Sequence, residues 1–290
     1  MKPDAIKFES SVLAIMPEKL NDIIAARQEA VIEDAIDIEA AINRRATKFK
    51  DVKGKVVTVP LYGYISHKAS IWSALGFETS SETFAGWLED LAANADVGAI
   101  VIDVDSPGGT AAGLSGVTDK IYALRGKKPI IAVASDLMAS AAYYLGSAAD
   151  EVIADPDSLT GSIGTIGVHI DWSGALEQAG IKVTLIKAGK YKFEGNPYQP
   201  LTDEAKEDWQ NMVNEYYAAF VSAVARNRGI TETRVREEFG QGRVFKAAKA
   251  KSVGMVDRIA TLEQVVRDLL PKGKTKSRAQ AQLDIMRIKH

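Results

Sequence analysis

The chain contains no cysteine, which excludes disulfides, a thiolate nucleophile and cysteine-ligated metal. Histidine is nearly as scarce: His67, His169 and His290 are too scattered along 290 residues to suggest a histidine-based metal cluster. No apolar run approaches the roughly 20 residues needed to span a bilayer, and the opening MKPDAIKFESSVLAIMPEKL has no uninterrupted apolar stretch of signal-peptide type. One-sided charge is missing too, since a formal net charge of -2 gives no overall electrostatic reason to bind nucleic acid. Only the tail, PKGKTKSRAQAQLDIMRIKH, is locally basic. These absences lead us to expect a cytoplasmic protein with no metal, no cofactor, no membrane contact and no nucleic-acid partner.

What is present is enough apolar material, 46% of residues, for one large α/β domain or two smaller ones. From Pro17 to Lys48 the chain is charged and apolar at helical intervals (Leu20, Ile23, Ile24, then Val31, Ala35, Ile38, Ile42), the pattern of an amphipathic helix or helix pair. It would pack on its own domain or serve as an assembly arm. KFKDVKGK then leads into KVVTVPLYGYI, a first strand by its β-branched content. TSSETFAGWLEDLAAN has a capping box (Thr79 with Glu82) and an apolar stripe (Phe84, Trp87, Leu88, Leu91), so it reads as helix. The nearly continuous apolar run GAIVIDVDS reads as a strand covered on both faces.

The alternation goes on. GLSGVTDKIYALRG reads as helix, PIIAVAS as strand, ASAAYYLGSAA as helix, EVIAD and GTIGVHI as strands, SGALEQAG as helix and IKVTLIKAG as strand. Such spacing implies βαβ units around a mostly parallel sheet. LTDEAKEDWQNMVNEYYAAFVSAVARNRG reads as one long helix with Thr202 as N-cap and Gly229 just past its end. The expected organisation is an N-terminal helical extension over residues 1–50, a core domain over 51–270 and a basic flexible tail over 271–290.

Three stretches carry candidate chemistry. DSPGGT, residues 105–110, follows a buried strand and precedes a helix; its paired glycines suit either an oxyanion hole, by leaving amide hydrogens uncovered, or a plain tight turn. Ser140 holds the equivalent place after the next strand, among small neighbours Ala139, Ala141 and Ala142 that would let a substrate backbone approach. Both stretches follow parallel strands at their carboxyl ends, where open α/β sheets bind ligands. The proton acceptor is the difficulty. His169 sits in a stretch that reads as strand, with no motif-placed carboxylate to orient it, so the alternative base is a lysine whose pKa has fallen from about 10.4 through burial. AGKYKFEGNPY, residues 188–198, offers Lys190 and Lys192, which share a face if the segment is extended.

SPGG after a strand, Ala-Ser-Ala-Ala-Tyr-Tyr at a helix start, LTGSIGTIGVH, and Gly-Lys-Tyr-Lys before a proline-containing turn occur in this order. Together they resemble the signal peptide peptidase A family of serine peptidases, and in particular its single-domain phage head-maturation (capsid) proteases. The resemblance covers about residues 54–262 and implies a ClpP/crotonase-like α/β fold with a Ser-Lys dyad. By position it makes Ser140 the nucleophile, Lys192 the general base, and Ser162 the hydroxyl that holds the lysine amine. The amides of Gly109 and Ala141 become the oxyanion hole. It implies a serine endopeptidase acting on protein or peptide substrates, such as a capsid or scaffold protein, in host cytoplasm or procapsid, and a ring-shaped homo-oligomer. The N-terminal helix and the 202–228 helix would be its contact elements. Relatives often carry glycines where this chain has Ala141 and Ala142, and the membrane anchor of the bacterial enzymes is not recognised here. Two other readings stay open: a crotonase-like acyl-CoA enzyme, which would need neither Ser140 nor Lys192, and a non-catalytic capsid assembly or scaffold protein.

Overall fold

A computed structural model describes residues 12–15, 52–53, 55–70, 73 and 78–270. The helical reading of 17–48 and the basic tail 271–290 lie outside the described residues. Of the expected N-terminal extension, only Val12–Ile15 is described, and it is a strand.

The strands are β1 Val12–Ile15, β2 Val52–Lys53, β3 Val56–Ser66, β4 Glu78–Ser80, β5 Ala99–Thr110, β6 Ile130–Ala139, β7 Glu151–Ala154, β8 Leu159–Gly161, β9 Ile166–Gly167, β10 Val244–Lys246 and β11 Arg258–Ile259. The helices are α1 Ser81–Ala93, α2 Leu114–Ala123, α3 Ala141–Gly146, α4 Ser173–Gln178, α5 Asp203–Arg228, α6 Glu232–Glu238, α7 Ala247–Val253 and α8 Leu262–Leu269. The expected α/β class with stacked βαβ units is what forms. Parallel pairing runs β3 to β5 to β6 to β7, with β4 parallel to β3, β8 parallel to β6 and β11 parallel to β7. The antiparallel pairs are β1 with β5 and with β9, β2 with β3, and β10 with β8.

The continuous apolar runs of β5 and β6 follow from burial on both faces. Ile100, Ile102 and Val104 of β5, with Ile130, Ala132 and Ala134 of β6, face a large core shared with α1, α2, α3 and α5. Their alternates, Ala99, Val101, Ile131 and Val133, pack with Val265 and its neighbours on α8. Phe84 and Leu88 of the predicted α1 stripe are fully buried, while Trp87 and Leu91 pack partly buried beside them. Each fully buried side chain of this kind contributes about 1.5–3 kcal/mol. Tyr62 and Ser135 both donate hydroxyl hydrogens to the buried Asp103 carboxylate, tying β3, β5 and β6 together across the sheet.

Three local expectations are corrected. The cap of α1 is Ser80, whose hydroxyl accepts from Thr83 N–H at 3.3 Å; Thr79 belongs to β4 and gives its hydroxyl to the Tyr62 carbonyl at 2.8 Å, so there is no Thr79–Glu82 box. DSPGGT is not a turn but the last part of β5, which continues to Thr110 after its register shifts at both neighbours. IKVTLIKAG forms no strand: a strand needs a ladder partner, and none lies alongside it among the described residues. Ile181, Val183 and Ile186 stand exposed instead. For α5, both ends are as expected, with the Thr202 hydroxyl accepting from Ala205 N–H and Gly229 left-handed at φ 65°.

Arg125, just past α2, locks the helix that follows Ser140. Its guanidinium donates to the carbonyls of Ser147, Ala148, Ala149 and Asn227 at 2.7–2.9 Å, and it stacks on Tyr122. These charge-assisted bonds satisfy the carbonyls at the end of α3 and join them to the end of α5. We expect Arg125→Met to lower unfolding stability by about 2–4 kcal/mol, because several carbonyls lose their donor together. The urea midpoint should fall, and an unchanged midpoint would remove Arg125 from the account of how α3 is held.

Candidate active site

The geometry of the site begins where β5 and β6 part. Their pairing ends at Ser106 opposite Met138, and two residues later the chain turns sharply into α3. Ser140 makes that turn with φ 54° and ψ -118°, values that suit glycine at the first central position of a type II′ turn and strain any other residue. The strain costs of order 1–3 kcal/mol. Its N–H donates to the Gly161 carbonyl at 2.7 Å, extending the β6–β8 ladder by one bond beyond the Ala139–Gly161 pair. Ser140 is fully buried, and its hydroxyl has no hydrogen-bond partner. An unpaired buried hydroxyl costs about 1–3 kcal/mol, so two separate penalties fall on one residue.

Ser162 lies directly across this junction. It too has positive φ, 54°, is buried, and donates its N–H to the Arg243 carbonyl at 2.8 Å. Among the described non-glycine residues only Ser140, Ser162 and Gln241 adopt positive φ. Backbone strain therefore concentrates on the two serines singled out in the sequence, which the fold brings together through Gly161. Gly161 has φ 139°, and a Cβ there would meet the Arg243 carbonyl oxygen at 2.5 Å.

Gly109 sits on β5 opposite Ile65 of β3. A Cβ on it would lie 1.9 Å from the Ile65 carbonyl oxygen, so close strand approach demands glycine here. Ser106 anchors the same stretch, donating to the Gly63 carbonyl at 2.6 Å and accepting from Gly108 N–H at 3.2 Å. Ala141 is the first residue of α3, fully buried behind Ser140.

The lysines are placed differently. Lys192 is exposed in the turn after Gly189, and because the Ser140 hydroxyl has no partner, no hydrogen bond joins the two within a single chain. Lys190 is occupied. Its amine donates to Glu204 at 2.8 Å and to the Tyr191 hydroxyl at 2.7 Å, and the Glu204 carboxylate foremost, with Tyr191, raises its pKa above the usual lysine range. That keeps Lys190 protonated, the wrong state for a base. His169 donates through Nε2 to the Asn196 carbonyl at 2.9 Å and meets Trp209 edge-on, a structural role within the 190–200 loop. No group of three or more histidine, aspartate or glutamate residues suited to a metal is found among the described residues.

One feature escaped the sequence reading. β1 pairs antiparallel with Gly108–Thr110 on one side and with Ile166–Gly167 on the other, which puts it on the edge of β5 that β6 leaves after Ser106. Its sequence, VLAI, is apolar and partly β-branched, a strand signal too short to stand out within the N-terminal stretch.

Glycine substitutions test this geometry. Gly109→Ala should abolish the folded state or lower its melting temperature sharply, because the obstruction is backbone. Gly116→Ala in α2, where nothing lies within 4 Å of the added carbon, should stabilise by about 0.5–1 kcal/mol. Ser140→Gly should also stabilise, by about 1 kcal/mol, through relief of the positive φ. Thermal melts of the three variants read all these signs.

Comparison with known proteins places this geometry. The model of Peptidase family S49 matches residues 122–275, just over half the chain, a span that includes Ser140, Ser162 and Lys192 but not Gly109. A putative protease of Methanocaldococcus jannaschii is 36% identical over 182 residues, covering 63% of this chain and 58% of that protein. The head-tail preconnector protein GP5 of Enterobacteria phage P21 is 30% identical, covering 77% of this chain and 44% of that protein. Capsid assembly protease C of Escherichia phage lambda is 28% identical, covering 86% and 57%. The chain spans about half the length of these curated relatives. Because the family model matches just over half of the chain, in a span that takes in the strained serine turn, the chain belongs to peptidase family S49.

Proposed function

We propose that this protein is a serine endopeptidase in which Ser140 is the nucleophile and Lys192 the general base. The observation that carries the reading is Ser140 itself: a buried hydroxyl with no partner, on a residue strained into positive φ, at the carboxyl end of a parallel strand. A fold retains two such penalties where function requires them. Lys192 takes the hydroxyl proton, Ser140 Oγ attacks the peptide carbonyl, and the amides of Gly109 and Ala141 stabilise the oxyanion. The amine returns the proton to the leaving nitrogen, and water then releases the acyl group. Ser162, across the junction from Ser140, orients the amine.

The lysine must travel to the serine, from its own chain or from a neighbouring copy. Support for a copy comes from the surface around it. Ile181, Ile186 and Tyr191 are 54%, 88% and 53% exposed, three bare apolar side chains on the same stretch of sequence as Lys192. A second chain packed on that segment would bury it and dry the amine, which favours the uncharged base. We therefore include a homo-oligomer, ring-shaped by family resemblance, in the reading. The printed names of the phage relatives support capsid or scaffold proteins as substrates. Neither the acyl-CoA reading nor the assembly reading uses the strain at Ser140.

Purified protein incubated with casein and with a capsid or scaffold candidate tests the assignment. Ser140→Ala should abolish cleavage and labelling by a fluorophosphonate, and Lys192→Ala should lower kcat/KM by about 10²–10⁴. Lys190→Ala should keep most activity. Mixing the inactive Ser140→Ala and Lys192→Ala proteins should restore cleavage if the dyad closes between copies and leave none if it closes within one. Equal cleavage by wild type and Lys192→Ala would end the dyad.

A further inference from the structure

We propose that β1 is a peptide ligand held in cis: the segment Val12–Ile15 occupies the cleft in which another extended peptide would bind beside Ser140. This rests on the peptidase reading for its purpose, but its geometry stands apart from it.

At Gly108 and Gly109, one edge of β5 is taken by Tyr64 and Ile65 of β3. β1 pairs with the same glycines, Ile15 opposite Gly108 and Ala14 opposite Gly109, so it lies on the other edge. That is the edge β6 covers as far as Ser106. β6 swings away there to make the Ser140 turn, and β1 takes over the edge one residue past the proline. On its far side β1 pairs with β9, Val12 opposite Gly167 and Leu13 opposite Ile166. The backbone of β9 is itself braced by α5, through the Thr165 hydroxyl donating to the Val213 carbonyl at 2.9 Å.

Between β5 and β9 the chain thus leaves a slot one strand wide, lined on both sides by backbone donors and acceptors. Such a slot recognises an extended polypeptide by strand addition. The direction of β1 is informative. From Leu13 to Ile15 it runs from Thr110 back to Gly108, towards the end of β6 and therefore towards Ser140. Ser140 has no exposed surface in the folded chain, and a substrate strand that enters this slot in trans must first displace β1 from Gly108–Thr110. Affinity for that substrate is reduced by the fraction of molecules whose slot is filled.

The chain has no cysteine, so a single engineered pair is unambiguous. In full-length Ser140→Ala protein, Leu13→Cys with Thr110→Cys should close a disulfide under mild oxidant, since directly opposed antiparallel residues fall within disulfide reach. Binding of a fluorescein-labelled peptide ESSVLAIMPEK, followed by anisotropy, should be lost in the oxidised form and return on reduction. Ala14→Pro in the same Ser140→Ala protein should bind the peptide at least tenfold more tightly than Ser140→Ala alone, because proline removes a ladder donor from β1. Failure of the disulfide to form overturns the proposal, as does peptide binding indifferent to both the cross-link and Ala14→Pro. Casein cleavage by wild type reports separately on the peptidase reading. If wild type cleaves nothing while cross-link and binding behave as expected, the docked strand stands and the peptidase falls.

Discussion

The hydrogen bond from Ser140 N–H to the Gly161 carbonyl is the constraint on which the rest of the site depends. It continues the β6–β8 ladder to the last possible residue, so the chain must reverse direction within Ser140 itself in order to enter α3. Positive φ is the result. The same junction forces Ser162 into positive φ, because its N–H is committed to Arg243 on the strand-end segment before β10. Two serines are thereby strained and buried, each with its N–H committed to a neighbouring carbonyl, and no side-chain bond fixes the Ser140 hydroxyl. Arg125 holds α3 from behind, and Tyr144 stacks on Phe220 of α5 at 4.4 Å, so the turn cannot relax by letting the helix slide.

The second constraint is the closeness of β3 and β5 at Gly109. With 1.9 Å between a hypothetical Cβ and the Ile65 oxygen, the backbone itself forms the wall of the site. This explains why DSPGGT behaves as strand although its composition suits a turn: β3 accompanies it through Tyr64 and Ile65, and strand pairing overrides local preference. The glycines serve close approach and also leave a backbone edge that another strand can join.

Much of the architecture was legible because it rests on periodicity. The stripe of α1, the long α5 with Thr202 and Gly229 at its ends, and the doubly buried runs of β5 and β6 follow from local pattern and core burial. Ser140 stood out through its small neighbours and its place after a strand, and Ser162 through the family resemblance, whereas their closeness through Gly161 needed the fold. Three features depended on partners distant in sequence. Thr79 lost its capping role to a carbonyl seventeen residues earlier. IKVTLIKAG has the composition of a strand but no ladder to join within the described chain. β1 is four residues long, too short for any period to declare it, and exists because β5 and β9 leave exposed ladder edges.

The lysine and the strand are linked problems of access. A neutral amine requires dry surroundings, whereas Lys192 in the single chain faces water on a segment whose apolar side chains are also exposed. Ser140, conversely, is already dry and closed off while β1 occupies the adjoining edge. In the isolated chain the proposed nucleophile is thus buried without its proposed base, and that base is solvated apart from it. Assembly would bury the lysine segment, and departure of β1 would open the serine to peptide. Because the two events act on different surfaces, an assembled particle with β1 still docked would have its base desolvated yet no room for substrate. On the proposed mechanism, assembly and opening are therefore independent requirements, and activity would demand both.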